Sequence, residues 1–312
     1  MIVLRMRVMR ACRTRSAIGL VATWLLILGV VTTAIAGDSS SSDSMSGSKP
    51  PEFTNPERVT IIGYSEDAME PFITRDGTRL FFNNSNSAVD TNLFQAHRID
   101  DLTFQFDGEI GGVNSPALDA VASMDRNGNF FFVSTRSYAV TASTIYQGVF
   151  SNGDVAGVAL APGVSLQTPG IVDFDAEISA DGGTLYFSEG RFMPSSPIPQ
   201  TARIMIANRT ESGFVRPRNS NRIMRLINTK ALNYAADTSD SQLEIFFTRL
   251  NRIGPAIYTA SRSATSKPFG KPRKIKAIIG FAEAPSLSPD GKSLYYHKNE
   301  NGIFVIYRVT RQ

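Results

Sequence analysis

Residues 285–309 read PSLSPDGKSLYYHKNENGIFVIYRV. A short apolar run leads into Asp290-Gly291, a second run covers Ser293 to Tyr296, and a third follows a polar loop from Ile303 to Val309. Asp-Gly between two short strand-like runs is a strong hairpin signal, because both central residues of a tight type I′ turn need positive φ. The same pattern recurs four times upstream. Asp76-Gly77, Asn127-Gly128, Asp181-Gly182, Asp240-Ser241 and Asp290-Gly291 follow one another at spacings of 51, 54, 59 and 50 residues. Periods of that size mark solenoids, propellers and arrays.

An apolar-aromatic run follows each turn: Leu80-Phe81-Phe82, Phe130-Phe131-Phe132, Leu185-Tyr186-Phe187, Ile245-Phe246-Phe247 and Leu294-Tyr295-Tyr296. Beyond a polar loop comes another: Leu93-Phe94, Ile145-Tyr146, Ile204-Met205, Ile257-Tyr258 and Ile306-Tyr307. β-branched and aromatic enrichment in short pieces predicts strands. A fourth run completes each repeat, represented in repeat four by residues 271–280. The last repeat lacks one, since the chain stops at Gln312. Residues 55–63 match that missing run in type and order. They predict that Val59 to Ile62 pairs with the run from Ile303 to Val309 and closes the ring, leaving no exposed edge. The competing arrangement is an open array with one extra edge strand. Four strands in each of five repeats, with a terminal strand exchanged, make an all-β, five-bladed β-propeller over residues 52–312. The Ser288-Pro289-Asp290-Gly291-Lys292 turn, the Ser179-Ala180-Asp181-Gly182 turn and the Ile-Tyr strands resemble the TolB-like, WD-repeat-like propeller repeat. That resemblance implies binding work within envelope complexes. No segment resembling the helical N-terminal domain of TolB is present, so TolB's own partners do not transfer. Repeat four departs furthest, with Asp240-Ser241 and one extra residue before Ile245.

The ends of the chain change its charge. Residues 1–36 hold Arg5, Arg7, Arg10, Arg13 and Arg15, no acid, an apolar run from Ala17 to Thr32 and a small-x-small site at Ala34-Ile35-Ala36. That composition predicts an export signal, with an uncleaved anchor as the alternative. Of the chain's 32 cations 27 then remain, against 28 acids. No basic footprint for nucleic acid is left. Cys12 and Trp24, the only residues of their types, fall in the same segment, so thiol chemistry is excluded from the exported chain. Residues 37–51, rich in Ser, Gly and Asp, read as a linker. The expected localisation is the periplasm or the medium, and the expected state a monomer.

Chemistry is expected where loops meet at one face of the ring. Loops entering the innermost strands carry Glu66 and Glu70, Asp119, Asp173 and Asp175, and Glu283, with Asn233 and Tyr234 in repeat four. Loops joining second and third strands carry Arg136, Arg191, Arg249 and Arg252, and Lys298. One reading is a polar mouth whose candidate ligand or partner residues are Glu70, Asp119, Asp175, Glu283, Arg136, Arg191, Arg249 and Tyr234. It would hold a small polar ligand or an envelope protein. The other is that these acids and cations are equivalents of one repeated position and pair between neighbouring blades.

A hydrolase acting on a glycan-like polymer needs two carboxylates roughly 5–10 Å apart. Asp175 with Glu283, or Glu70 with Asp175, are the candidate pairs. Against that, the exported chain has no Trp platform, and no Gly-x-Ser-x-Gly elbow occurs. His97 and His297 fall at different places in their repeats and read as surface or strand-end residues. Neither a zinc cluster nor EF-hand spacing is present, and no cofactor is expected. Gly111-Gly112 and Gly182-Gly183 lack the helix and Lys of a phosphate loop. The Pro-rich stretch from Met193 to Thr201 is the expected partner-specific rim loop.

Overall fold

The computed structural model describes residues 51–193 and 198–312. The expected export signal and linker lie outside those residues, apart from Pro51, as do residues 194–197 of the Pro-rich stretch.

The chain starts with β1 (Thr54–Arg58) and β2 (Thr60–Ile62). Blade one is β3 (Met69–Ile73), β4 (Arg79–Asn83), β5 (Leu93–Arg98) and β6 (Thr103–Glu109). Blade two is β7 (Asp119–Met124), β8 (Asn129–Ser134), β9 (Ile145–Ser151) and β10 (Asp154–Leu160). Blade three is β11 (Ile171–Ile178), β12 (Thr184–Arg191), β13 (Thr201–Thr210) and β14 (Gly213–Val215). Blade four is β15 (Leu232–Thr238), β16 (Glu244–Asn251), β17 (Gly254–Ser261) and β18 (Arg273–Lys274). Blade five is β19 (Ala282–Leu287), β20 (Ser293–Glu300), β21 (Ile303–Thr310) and, from the other end of the chain, β1. The five sheets form a five-bladed β-propeller, and the only helices among the described residues are two single turns, Tyr138–Thr141 and Ser220–Ile223.

The apolar runs are continuous, not alternating, because each blade packs on both faces. Phe81 packs into the cluster that holds Phe130 and Phe132 of blade two, whereas Leu80 and Phe82 pack into the cluster that holds Tyr295 and Ile306 of blade five. Three further clusters fill the remaining interfaces between neighbouring blades, around Phe131 with Leu185, Tyr186 with Ile245, and Phe246 with Leu294.

Ring closure is real, but the pairing segment lies earlier than the sequence predicts. β1 pairs antiparallel with β21, with Glu57 opposite Arg308 and Arg58 opposite Tyr307. Phe53 anchors it edge-on against Phe246, 5.8 Å between centroids, with the Arg311 guanidinium over its ring. Val59 bonds to the Ile306 carbonyl at 2.9 Å. The chain then crosses to blade one, where β2 runs parallel to β6 and makes that sheet five-stranded. One expected strand is thus two, strapping blade five to blade one. The fourth run expected over residues 271–280 forms only the two-residue β18.

The turns also differ from type I′. Only the glycines have positive φ: Gly77 at 73°, Gly182 at 71° and Gly291 at 72°. Their amides reach back three residues, to Thr74, Ser179 and Ser288, at 2.7, 2.8 and 2.8 Å. These are type I turns closed by a left-handed Gly, with the Asp side chain accepting from the amide two residues on. Blade four keeps the geometry one residue later than its sequence suggests. Gln242, at φ 57°, takes the glycine position, and Ser241 takes that of the aspartate.

Candidate functional site

The channel is lined by the innermost strands β3, β7, β11, β15 and β19, and each carries a bulge at the same place. Each bulge contains one left-handed residue: Glu70 (φ 50°), Val121 (56°), Asp175 (52°), Ala235 (47°) and Ala284 (53°). None is a glycine, and a β-branched Val there is a true outlier. Such strain persists where the surroundings over-determine it, and it concentrates at functional sites. Bonds from the preceding blade hold four of these amides. Val121 N–H donates to Asn83 at 3.2 Å, Ala235 to Ser188 at 3.2 Å, Ala284 to Thr248 at 3.0 Å and Glu70 to His297 Nδ1 at 3.1 Å. A bulge re-aims the side chain it carries, and three of these five, Glu70, Val121 and Asp175, line one cavity.

Glu70 and Asp175 occupy that position on blades one and three. Glu283 and Tyr234 sit one residue earlier on blades five and four, and Asp119 two residues earlier on blade two. The acids are therefore not equivalents of one repeated position, which corrects that reading of the sequence. Register separates them into two groups.

The first group braces single blades. Arg136 pairs with fully buried Asp119 at 2.6 Å and lies over Phe132 and Tyr146 of the same blade. Arg249 bonds to Asn233 at 2.7 Å and lies over Phe247 and Tyr258. Arg216 spans Asp173 and Glu189 over Phe187. Lys298 lies over Tyr307. These contacts are made within a blade, not between neighbouring blades as the alternative reading has it. Arg191 is exposed and makes no ion pair among the described residues.

Burial of Asp173 has a measurable consequence of its own. Burial raises its carboxyl to about 6, Arg216 opposes this and Glu189 adds to it. An acid whose folded pKa lies above its unfolded value binds more protons when folded, so stability falls as pH rises through the interval from about 4 to 6. At 1.36 kcal/mol per unit this interval is worth on the order of 2–3 kcal/mol. Denaturant midpoints at pH 4.5 and 6.5 should show Asp173→Asn losing less stability over that interval than the parent. Equal losses would contradict the raised carboxyl of Asp173.

The second group converges. Glu70, Asp175, Glu283 and Tyr234 line one cavity of about 60 Å3 at the mouth, with Asn86, Val121, Phe174 and Phe192. That exceeds the roughly 10–15 Å3 needed to hold one water, and at about 30 Å3 per water it admits about two. Tyr234 donates its hydroxyl to Glu283 Oε1, and His297 Nε2 meets Glu283 Oε2 at 3.3 Å. Asn86 donates to Glu70 Oε1 at 3.2 Å, and Ala235 N–H to Asp175 Oδ2 at 2.9 Å. Glu70 Oε2 is buried without a hydrogen-bond partner. Burial and then Glu70 raise the Asp175 carboxyl well above the usual range. Burial also raises Glu70, with His297 opposing and Glu283 adding. Burial and then Glu283 push the Tyr234 phenol well up.

His297 is where sequence reading missed most. It is fully buried at the mouth, whereas His97 behaves as expected, half-exposed and 2.7 Å from Asp107. The available signal was cross-strand register, since Glu283 and His297 stand opposite on β19 and β20. Arg75 was also missed. It reaches from the first turn across the channel to Glu177 and the Ile178 carbonyl of blade three, at 2.9 Å for the latter, and lies 3.9 Å from Asp240 of blade four. A space of about 30 Å3 lined by Phe72, Glu177 and Ser286 lies at that level. Among the described residues no set of side chains forms a metal site, and no helix is long and apolar enough to cross a membrane.

No protein-family model matches the chain, and no curated protein does. Solved structures do match. BT0996, in its RGII complex, aligns at TM-score 0.62 and 11% identity, over 84% of this chain and 92% of that protein. Zg3597, a family 117 glycoside hydrolase of the marine bacterium Zobellia galactanivorans, aligns at 0.55 and 9%, over 84% and 90%. A putative TolB from Agrobacterium tumefaciens aligns at 0.45 and 13%, over 76% and 72%. The shared feature is the propeller. At these identities the likeness is one of fold, and the repeat family suggested by the turns is not settled by it.

Proposed function

We propose that this is an exported propeller whose mouth binds a small polar ligand through Glu70, Asp175, Glu283 and Tyr234. The observation that carries the reading is the division of the acids into two groups. Those that brace a blade are matched to an arginine, while the three at the mouth surround a cavity instead. Aromatic walls beside a few convergent polar groups are the usual make-up of a ligand pocket.

A second reading, hydrolysis of a glycosidic bond, is favoured by the contrast within the cluster. Burial and Glu70 raise the Asp175 carboxyl well above the usual range, which favours its acid form. Glu283 accepts from Tyr234 and faces His297. A protonated acid beside an acceptor carboxylate is the pairing that glycoside hydrolysis uses. A glycoside hydrolase among the solved propellers agrees with it by fold analogy alone. In this reading Asp175 donates the proton and Glu283 acts opposite it.

Ligand-observed NMR of the purified protein against a panel of monosaccharides, amino sugars and polyols tests binding. Release of nitrophenol from aryl glycosides tests turnover. The expected result is binding by the parent that weakens at least tenfold in Asp175→Asn at matched folding. Turnover lost in the same variant would establish the hydrolase. Equal binding by parent and variant, or no binding by either, would sink the mouth as a ligand site.

A further inference from the structure

We infer that the ligand of the mouth carries a positive charge, in the form of an ammonium group on a small hydroxylated molecule. The inference rests on the mouth being a ligand site and adds the chemical class of what enters it. Three carboxyl groups line the cavity, and no Lys or Arg does. The cations that sequence reading placed at the mouth are committed elsewhere, Arg136 to Asp119 and Arg249 to Asn233. Acids buried in other parts of the ring are answered from within the protein. Asp119, Asp173 and Glu189 have arginines, Glu177 has Arg75, and Asp125 takes the amides of Asn127 and Asn129.

At the mouth one acceptor is left over. Glu70 is 8% exposed, and its Oε2 has no partner while Oε1 takes the Asn86 amide. A buried carboxylate oxygen with nothing to accept from is costly unless the missing donor arrives with the ligand. A hydroxyl could donate one bond. An ammonium donates three and also supplies the countercharge that three adjacent carboxyl groups lack. The walls fit the same group. Phe174, Phe192 and Tyr234 border the cavity, and aromatic faces attract cations that have lost water. With room for about two waters, the cavity suits the amine-bearing end of a molecule better than a full ring system.

His297 does not supply this charge. The Glu70 N–H donates to Nδ1, so that nitrogen is the lone-pair side of a neutral ring, and the proton on Nε2 points to Glu283. Burial lowers the His297 pKa, and Glu70 and Glu283 more than offset it. A second proton on the ring, however, would displace the Glu70 amide. The ionisable groups around an incoming cation are Glu70, Asp175, Glu283, Tyr234 and His297, with Asp67 acting on the imidazole. Binding an ammonium favours ionised carboxylates, so protons leave Glu70 and Asp175 for solvent. Affinity therefore falls as pH falls.

The test uses two probes of equal size that differ in one group, ethanolamine and ethylene glycol. Each is titrated into the protein at pH 7.5 and followed by the amide signals of Glu70, Val121 and Asp175. Ethanolamine should bind at least tenfold more tightly than ethylene glycol, and more weakly at pH 5.5. Glu70→Gln should reduce ethanolamine affinity at least fivefold and narrow the gap between the two probes. Equal affinity for the two probes at these signals would overturn the positive charge while leaving the ligand site standing. If neither probe moves these signals but neutral sugars do, the charge is again excluded. If nothing in either set binds, the site itself falls with it.

Discussion

Arg75→Met should lower the unfolding temperature by roughly 6–15 °C, the largest stability loss expected of any single change in the channel. Arg75 ties three blades together across the axis, bonding Glu177 and the Ile178 carbonyl and facing Asp240. It also lies over the Phe72 ring at 5.3 Å. Its removal takes away the cation that opposes the desolvation of Glu177 and Asp237. Burial, with Arg75 opposing and Asp237 adding, already raises the Glu177 carboxyl well above its usual range, and burial raises Asp237. Taking one partner from a buried pair costs about 3–5 kcal/mol, because the other stays desolvated. The double variant Arg75→Met with Glu177→Met should recover more than half of the loss. Asp237 keeps the Thr238 and Leu287 amides, and Asp240 keeps Arg126. Calorimetry on the parent, the two single variants and the double variant yields the coupling directly. A single-variant loss below about 1 kcal/mol would mean that the blade interfaces alone hold the axis, since surface-like pairs contribute no more than that.

What the sequence showed and what it hid divide by the range of the interaction. The turn at Asp290-Gly291 is legible because Ser288, Asp290 and Gly291 settle it among themselves. The apolar runs are legible because every blade must fill two interfaces. Gln242 is already harder. It adopts a glycine's φ in a blade whose own aspartate lies one residue earlier, and its side chain is held by Tyr186 of blade three. The bulges are invisible, since Glu70, Val121, Asp175, Ala235 and Ala284 share a conformation but no one residue type. Without the bulges the acids look interchangeable. With them, Glu70 and Asp175 line the mouth cavity while Asp119, two positions earlier, is left inside its own blade with Arg136. Arg75 reads as one more turn residue until the ring closes and brings Glu177, 102 positions away, within reach. The strap formed by β1 and β2 failed for a related reason: one continuous run changes partner at Val59, and no local feature announces the change.

Glu70→Gln separates a brace from a site more sharply than any other change. If Glu70 held blades together, neutralising it would cost stability. The geometry predicts the reverse. Its carboxyl is raised by burial and by Glu283, so at neutral pH ionisation works against folding. Gln keeps an oxygen for the Asn86 amide and removes the charge beside Asp175 and Glu283. The backbone N–H that meets His297 is untouched. The sign follows from linkage: a raised folded pKa makes the parent lose stability as pH rises through and above the ordinary carboxylate range, and the variant lacks that loss. Thermal unfolding at pH 7.5 should therefore place Glu70→Gln above the parent by roughly 2–4 °C, corresponding to about 1 kcal/mol in a domain of this size. The gap should narrow at pH 5, where the parent's carboxyl is closer to neutral. The same variant should lose ligand affinity at least fivefold. A substitution that makes the fold more stable and its binding weaker is the mark of a residue kept for its site. A lower unfolding temperature for Glu70→Gln at pH 7.5 would return Glu70 to the braces and move the search for function to the rim loop ending at Thr201.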